Sequence, residues 1–133
     1  LGAKLKTVED LMISGSKIPF INENSNMKKA LKLITKKRLG ILIAVNKKNY
    51  TTGIITDGQI RRSSQKNILL NELAVKKVMT KNPISVEKNM LAVKGLAIMS
   101  ENRITSLCVH KKNKRKKTIG VLHIHNILDG NIT

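Results

Sequence analysis

Gly53-Ile54-Ile55-Thr56-Asp57-Gly58-Gln59-Ile60-Arg61-Arg62 is the stretch that decides the fold. Gly53 and the apolar Ile54-Ile55 read as the end of a strand. Thr56, Asp57 and Gly58 break it, and Thr56 or Asp57 is placed to cap a following helix. That helix is short and basic, carrying Arg61 and Arg62. A strand running straight into a capped helix leaves backbone N–H groups pointing outward with partial positive charge, a setting that suits phosphate or another anion. Alone the signal is weak, since many such turns bind nothing. Its weight comes from a second copy, Gly120-Val121-Leu122-His123-Ile124-His125-Asn126-Ile127-Leu128.

Outward from these stretches the rest of the chain repeats as well. Val8-Glu9-Asp10-Leu11-Met12 is echoed by Val75-Lys76-Lys77-Val78-Met79, 67 positions on. Ile18-Pro19-Phe20-Ile21 reads as a short strand, with Pro19 marking a sheet edge or the strand's first residues. Ile84-Ser85-Val86 matches it 65 positions on. Asn24, Ser25 or Asn26 can cap the next helix, whose Met27, Ala30, Leu31 and Ile34 share one helical face. Gly40 is placed to end that helix, and Ala92, Gly95, Leu96 and Met99 keep the same spacing. Ile41-Leu42-Ile43-Ala44-Val45 has the pattern of a strand buried on both faces, with Ile104 to Val109 as its counterpart. Asn46 to Tyr50 predicts a turn into a strand from Thr51 to Thr56, and a helix follows from Asp57 to about Ser64. Gln65 to Asn71 reads as a connector and Glu72 to Met79 as a short helical segment. The small length differences between copies fall in loops, as a structural repeat requires.

Two repeats result, residues 8–66 and 75–130, joined by a connector at 67–74. Each reads strand, helix, strand, strand, helix. A unit of about 55 residues is marginal for burying a sheet alone. The expected fold class is therefore α+β: two β-α-β-β-α repeats packed about a pseudo-twofold axis, with an equivalent cleft beside each strand-to-helix junction.

The 133 residues fit one domain of ordinary size, and a hydrophobic content of 41% suits globular folding. No stretch approaches the ~18 consecutive apolar residues of a spanning helix. Leu1-Gly2-Ala3-Lys4 has neither an initiator Met nor an apolar leader core, so the chain is expected to be a piece of something longer. The lone Cys108 sits in an apolar run and reads as core, which fits a reducing cytoplasm. A formal charge of +18 raises the question of nucleic acid. The charge is mostly Lys spread along the chain, and only Phe20 and Tyr50 are aromatic, so no stacking platform exists. Lys111-Lys112-Asn113-Lys114-Arg115-Lys116-Lys117 reads as a solvated hairpin loop, and His110 before it as exposed. His123 and His125, two apart at a strand end, would face the same side. With no third ligand nearby, ligand contact or packing is the reading for His123, not metal. Arg61 and Arg62 either clamp a phosphate or end the short helix and complement its dipole.

The repeat resembles, over essentially the whole chain, a pair of cystathionine-β-synthase (CBS) domains, also called a Bateman module. The Thr56-to-Arg62 motif, the Gly120-to-Leu128 ending and the opening Leu1-Gly2-Ala3-Lys4-Leu5 are similar to the C-terminal half of the bacterial arabinose 5-phosphate isomerase family. CBS pairs of sugar nucleotidyltransferases carry the first of these motifs too. The resemblance implies a non-catalytic, cytoplasmic, homodimeric regulatory module. Its parent's N-terminal sugar isomerase (SIS) domain would interconvert D-arabinose 5-phosphate and D-ribulose 5-phosphate for Kdo and lipopolysaccharide synthesis. It also implies a nucleotide effector in the clefts, its base held by Ile18, Pro19, Ile41 and Leu42, or by Ile84, Thr105 and Leu107 in the second copy. Thr56, beside Asp57, would contact phosphate. Gln59 and Asn126 stand where the family usually has a ribose-binding Asp, and an amide makes the weaker bond. An adenine nucleotide is the family's usual ligand, and the missing carboxylates turn the expectation toward a cytidylyl sugar. The other expectation is an oligomerisation module that senses nothing.

Overall fold

Helix α1 (Val8–Leu11) and strand β1 (Ile13–Ser14) are followed by β2 (Phe20–Asn22), α2 (Met27–Lys37), β3 (Ile41–Val45), β4 (Thr51–Thr56) and α3 (Asp57–Lys66) in the computed structural model. Then come α4 (Val75–Val78), β5 (Thr80–Lys81), β6 (Ser85–Glu87), α5 (Ala92–Asn102), β7 (Ser106–His110), β8 (Gly120–His123) and α6 (Ile124–Asp129). The structure describes residues 5–66 and 69–129; the opening Leu1 to Lys4, connector residues 67 and 68, and residue 130 of the second repeat lie outside the described residues.

Two compact units form. One is Pro19–Pro83, and the other joins the described residues up to Ile18 to those from Ile84 onward. In the first, the sheet runs β2-β3-β4-β5. β2 lies parallel to β3 (Phe20 opposite Ile43), and the other two pairings are antiparallel. In the second, the order β1-β8-β7-β6 repeats that arrangement, with β6 parallel to β7 and β1 antiparallel to β8. The units therefore divide the chain otherwise than the sequence repeats do. Val8 to Ser14 opens the first repeat but completes the sheet of the second, and Val75 to Lys81 completes the sheet of the first.

Each core follows from the apolar pattern. Met27, Ala30 and Ile34 of α2 pack with Leu42, Ala44, Ile55 and Val75. Val8, Ala92, Met99, Leu107, Leu122 and Ile127 form the other cluster. Burying each Leu, Ile or Met stabilises by about 1.5–3 kcal/mol. β3 is buried at all five positions, as its unbroken apolar run predicts. Asn26 caps α2, its side chain accepting from the Lys29 N–H at 2.9 Å. Gly40 does not end that helix. The left-handed residue is Arg38, at φ 58°, matched by Arg103 at φ 54° after α5. Gly40, at φ 69°, lies in the turn that starts β3. Glu72 to Met79 is only in part helical, since α4 covers four residues and a 3-10 turn at Leu70–Glu72 precedes it.

Candidate functional site

In the unit Pro19–Pro83, β4 passes into α3 without a linking residue. Thr56 is the cap, its Oγ1 accepting the Gln59 N–H at 3.3 Å. The Asp57 N–H donates to the Gly40 carbonyl at 3.1 Å, tying the helix start to the start of β3. The Pro19 carbonyl accepts the Ile43 N–H at 2.8 Å. A Cβ added to Gly40 would stand 3.0 Å from Asp57 Oδ2, so the glycine leaves room for that carboxylate. Pro19, Ile41, Leu42, Thr56, Asp57, Gln59, Arg61 and Arg62 thus all belong to this unit.

The other unit repeats the construction from β8 into α6. The Ile124 N–H donates to the Thr105 carbonyl at 2.8 Å, and the Cys108 N–H to the Ile84 carbonyl at 3.2 Å. Here the cap runs the opposite way: Asn126 Oδ1 accepts the His123 N–H at 3.1 Å. A reciprocal capping box satisfies both the N-cap N–H and the N–H three residues on. Each junction holds one half of it. Ile18, Ile84, Thr105, Leu107, His123 and Asn126 belong to this unit.

Leu42 and Leu107 are enclosed in the cores. Ile18, Pro19 and Ile41 are buried, Ile84 half-buried and Thr105 exposed. Arg61 and Arg62 do not end the helix, because α3 continues to Lys66. Both are exposed, and Arg62 folds back over the first turn, its Nη1 lying 3.3 Å from where a Cβ on Gly58 would stand. Gln59 turns inward. Its Nε2 donates to the Val78 carbonyl at the end of α4, while its buried Oε1 has no partner among the described residues. Neither this amide nor that of Asn126 is free, and nothing in the sequence around Gln59 signals Val78 as its acceptor.

His123 and His125 are not on one strand. β8 ends at His123 and His125 lies in α6, yet the turn stacks their rings with centroids 4.8 Å apart. His123 Nδ1 accepts the His125 N–H at 3.1 Å, which puts the neutral ring's proton on Nε2. Burial, and then the charge of His125, hold the His123 pKa below the ordinary histidine value. Among the described residues no three His, Cys, Asp or Glu side chains gather as a metal site.

His110 is not exposed. It ends β7 at 7% exposure, with Nδ1 2.5 Å from Ser85 Oγ. Burial lowers its pKa, Glu87 opposes the shift and Arg115 adds to it. The apolar run into β7 was the available signal, since a strand buried along its length buries its last residue too. Burial pushes the Cys108 thiol up to about 11, with a bond from Thr118 opposing, so it stays protonated and inert at neutral pH. Lys111 to Lys117 are all exposed, as the hairpin reading expects. No helix among the described residues is long and apolar enough to cross a membrane.

The CBS domain family model matches residues 8–66 and 75–131. The chain is 36% identical over 129 residues to arabinose 5-phosphate isomerase KdsD of Yersinia pestis, covering 96% of this chain and 38% of that protein. It is 33% identical over 128 residues to protein RP505 of Rickettsia prowazekii, covering 96% and 39%. The chain therefore spans less than two fifths of the length of these relatives. Among solved structures, the CBS-domain protein ATU1752 from Agrobacterium tumefaciens superposes with a TM-score of 0.86 at 15% identity, over 99% of this chain and 98% of that one. The CBS pair of MJ0100, in complex with 5-methylthioadenosine and S-adenosyl-L-methionine, gives 0.83 at 20% identity over 97% and 99%. CBSX2 in complex with AMP gives 0.80 at 21% identity over 95% and 96%. Two matched repeats built on the same strand-to-helix junction leave one conclusion: the chain belongs to the CBS-domain family, as a tandem CBS pair.

Proposed function

We propose that this CBS pair is the regulatory part of an arabinose 5-phosphate isomerase. In this reading an N-terminal SIS domain carries out the interconversion of D-arabinose 5-phosphate and D-ribulose 5-phosphate that feeds Kdo and lipopolysaccharide synthesis, in the cytoplasm and as a homodimer. The observation that carries the proposal is the 36% identity to KdsD running across 96% of the chain, both repeats included. The effector is a nucleotide or sugar nucleotide, an adenine nucleotide or a cytidylyl sugar. Its phosphate meets the Thr56 hydroxyl at the start of α3 with Arg61 and Arg62 alongside, since the Asp57 and Gln59 N–H groups are already bonded within the unit. The exposed carboxylate of Asp57 accepts sugar hydroxyls. The base lies against Pro19 and Ile41, with Ile84, Thr105, His123 and Asn126 the counterparts in the other unit; Leu42 and Leu107, enclosed in the cores, do not reach it. An effector acts only through different affinities for two states of the parent enzyme.

A second reading, an assembly module that senses nothing, is favoured by one observation: the amides of Gln59 and Asn126 are already engaged inside their own units. A thermal-shift panel of AMP, ATP, CMP, a cytidylyl sugar and the two pentose phosphates separates them. A ligand at 100 times its Kd adds about 2.7 kcal/mol of stability. A flat panel sinks the sensing reading, and a nucleotidyltransferase in the reading frame ahead of Leu1 sinks the isomerase parent.

A further inference from the structure

The segment that opens the first repeat is built into the opposite unit. Val8 is fully buried in the core cluster with Leu107, Leu122 and Ile127. Its N–H donates to the Met90 carbonyl at 2.8 Å and that of Glu9 to the Lys88 carbonyl at 3.0 Å, while the Ala92 N–H returns to the Lys6 carbonyl at 2.8 Å. Lys88 adds an ion pair to Glu9 at 3.2 Å. A full capping box between Thr7 and Asp10 stiffens the short helix. β1 then pairs with β8, Ile13 opposite Val121 and Ser14 opposite Gly120. Two residues beyond Val121, β8 ends at His123, the cap of α6.

We propose that residues 6–14 form a strap that couples whatever precedes them to the junction at His123–Asn126, and not to the junction at Thr56–Gln59, although the latter belongs to the sequence repeat they open. The second junction is then the one through which an effector reaches an N-terminal catalytic domain. The first junction has its own strap, Val75 to Lys81, on which Gln59 is already closed through the Val78 carbonyl. The direction of this coupling rests on the functional reading above only in taking the junctions as effector sites. Coupling free energy is reciprocal, so loosening either end loosens the other.

Amide hydrogen exchange on the intact chain tests it without any ligand. Asp10→Asn weakens the capping box at the surface. Exchange is expected to rise about fivefold in residues 6–14 and also in 120–127, and to stay unchanged in 51–66. Asn126→Ala and Thr56→Ala test the other direction. The first is expected to speed exchange in residues 6–14, and the second in 75–81 only. If Asn126→Ala unfolds the chain, Asp10→Asn alone decides. The proposal is overturned if the strap loosens while 120–127 stays protected, or if the effect reaches 51–66 equally. A flat nucleotide panel beside a positive exchange result overturns the effector reading and leaves the strap standing.

Discussion

The sulfur of Met79 lies across Gly53 in the middle of β4, 2.6 Å from where a Cβ on that glycine would stand, with the Thr80 carbonyl 2.8 Å from the same point. Met12 covers Gly120 in the same way, and the Ile13 carbonyl comes to 3.0 Å. Each glycine is thus the seat of a strap: the strand needs no side chain there because the methionine and the backbone of the added strand occupy the space.

Gly53→Ala is therefore expected to destabilise the chain by about 1–3 kcal/mol, as overpacking does, and Gly120→Ala similarly. Urea unfolding measures this. Adding Met79→Ala to Gly53→Ala tests the cause. The sulfur is the movable part of the clash, but the Thr80 carbonyl is backbone, so the double variant is expected to recover only part of the loss. Full recovery would mean that the side chain alone sets the requirement for glycine.

Much of this was legible in the sequence. The matching distances between Met12 and Met79 and between Gly53 and Gly120 revealed the repeat, because a close backbone approach tolerates no side chain and both copies obey it. The destination of each strap was not legible. Val8 to Met12 reads as a short segment leading to a loop at Ser14; that Ile13 and Ser14 form a strand, and which sheet edge receives it, is a tertiary choice, and its sequence neighbour β2 lost to β8. His110 was misread for a related reason. The residues that follow it in sequence are lysines, while its neighbour in space, Ser85, comes from a parallel strand 25 residues away. The roles of Gln59 and Asn126 as internal bonds depend on side-chain direction, which spacing alone does not give. The αL cap at Arg38 escaped because Gly40 is the residue that avoids strain at positive φ, and a non-glycine residue took the position regardless.

Gln59 offers a test of an unpaired buried oxygen. Replacing it with Glu puts an acceptor where an N–H had served the Val78 carbonyl, in a place that already holds one unpartnered oxygen. Gln59→Glu is expected to cost more at pH 7 than the about 1–3 kcal/mol of a neutral buried group left unpaired, because the carboxylate is charged. The introduced carboxyl donates once protonated, so the deficit against the parent chain shrinks as pH falls toward 4. Equal deficits at pH 7 and pH 4 would count against Gln59 donating to Val78.

Acid sensitivity should come in two stages. The folded pKa values of His110 and His123 lie below the ordinary 6.5, chiefly through loss of water around the buried His110 and the half-buried His123. The unfolded chain then binds protons that the folded chain refuses, so stability falls as pH drops through 6.5 and continues to fall until the folded values are passed. Asp10 acts lower. Its bonds from the Thr7 backbone and side chain hold its pKa under 3.8, and the stability it contributes is lost as pH falls through that folded value. Urea midpoints at pH 7.5, 6 and 5 are expected to decline in the parent chain and to flatten in His110→Gln with His123→Gln. An unchanged slope in that double variant would place the proton uptake elsewhere.

Lys28, Lys32 and Lys36 stand four apart on the exposed face of α2, in a chain whose formal charge is +18. Like charges at that spacing each cost about 0.2–0.5 kcal/mol, and a Glu placed four residues before a Lys gains a similar amount. Lys32→Glu replaces two repulsions with two attractions, one in the favourable order with Lys36. The substitution is expected to stabilise the chain by about 1 kcal/mol at low salt. Raising the salt to 0.5 M, where the screening length is only about 4 Å, should shrink that gain and raise the midpoint of the parent chain. A gain that persists undiminished in high salt would point to helix propensity or packing at position 32, because an exposed electrostatic effect cannot survive that screening.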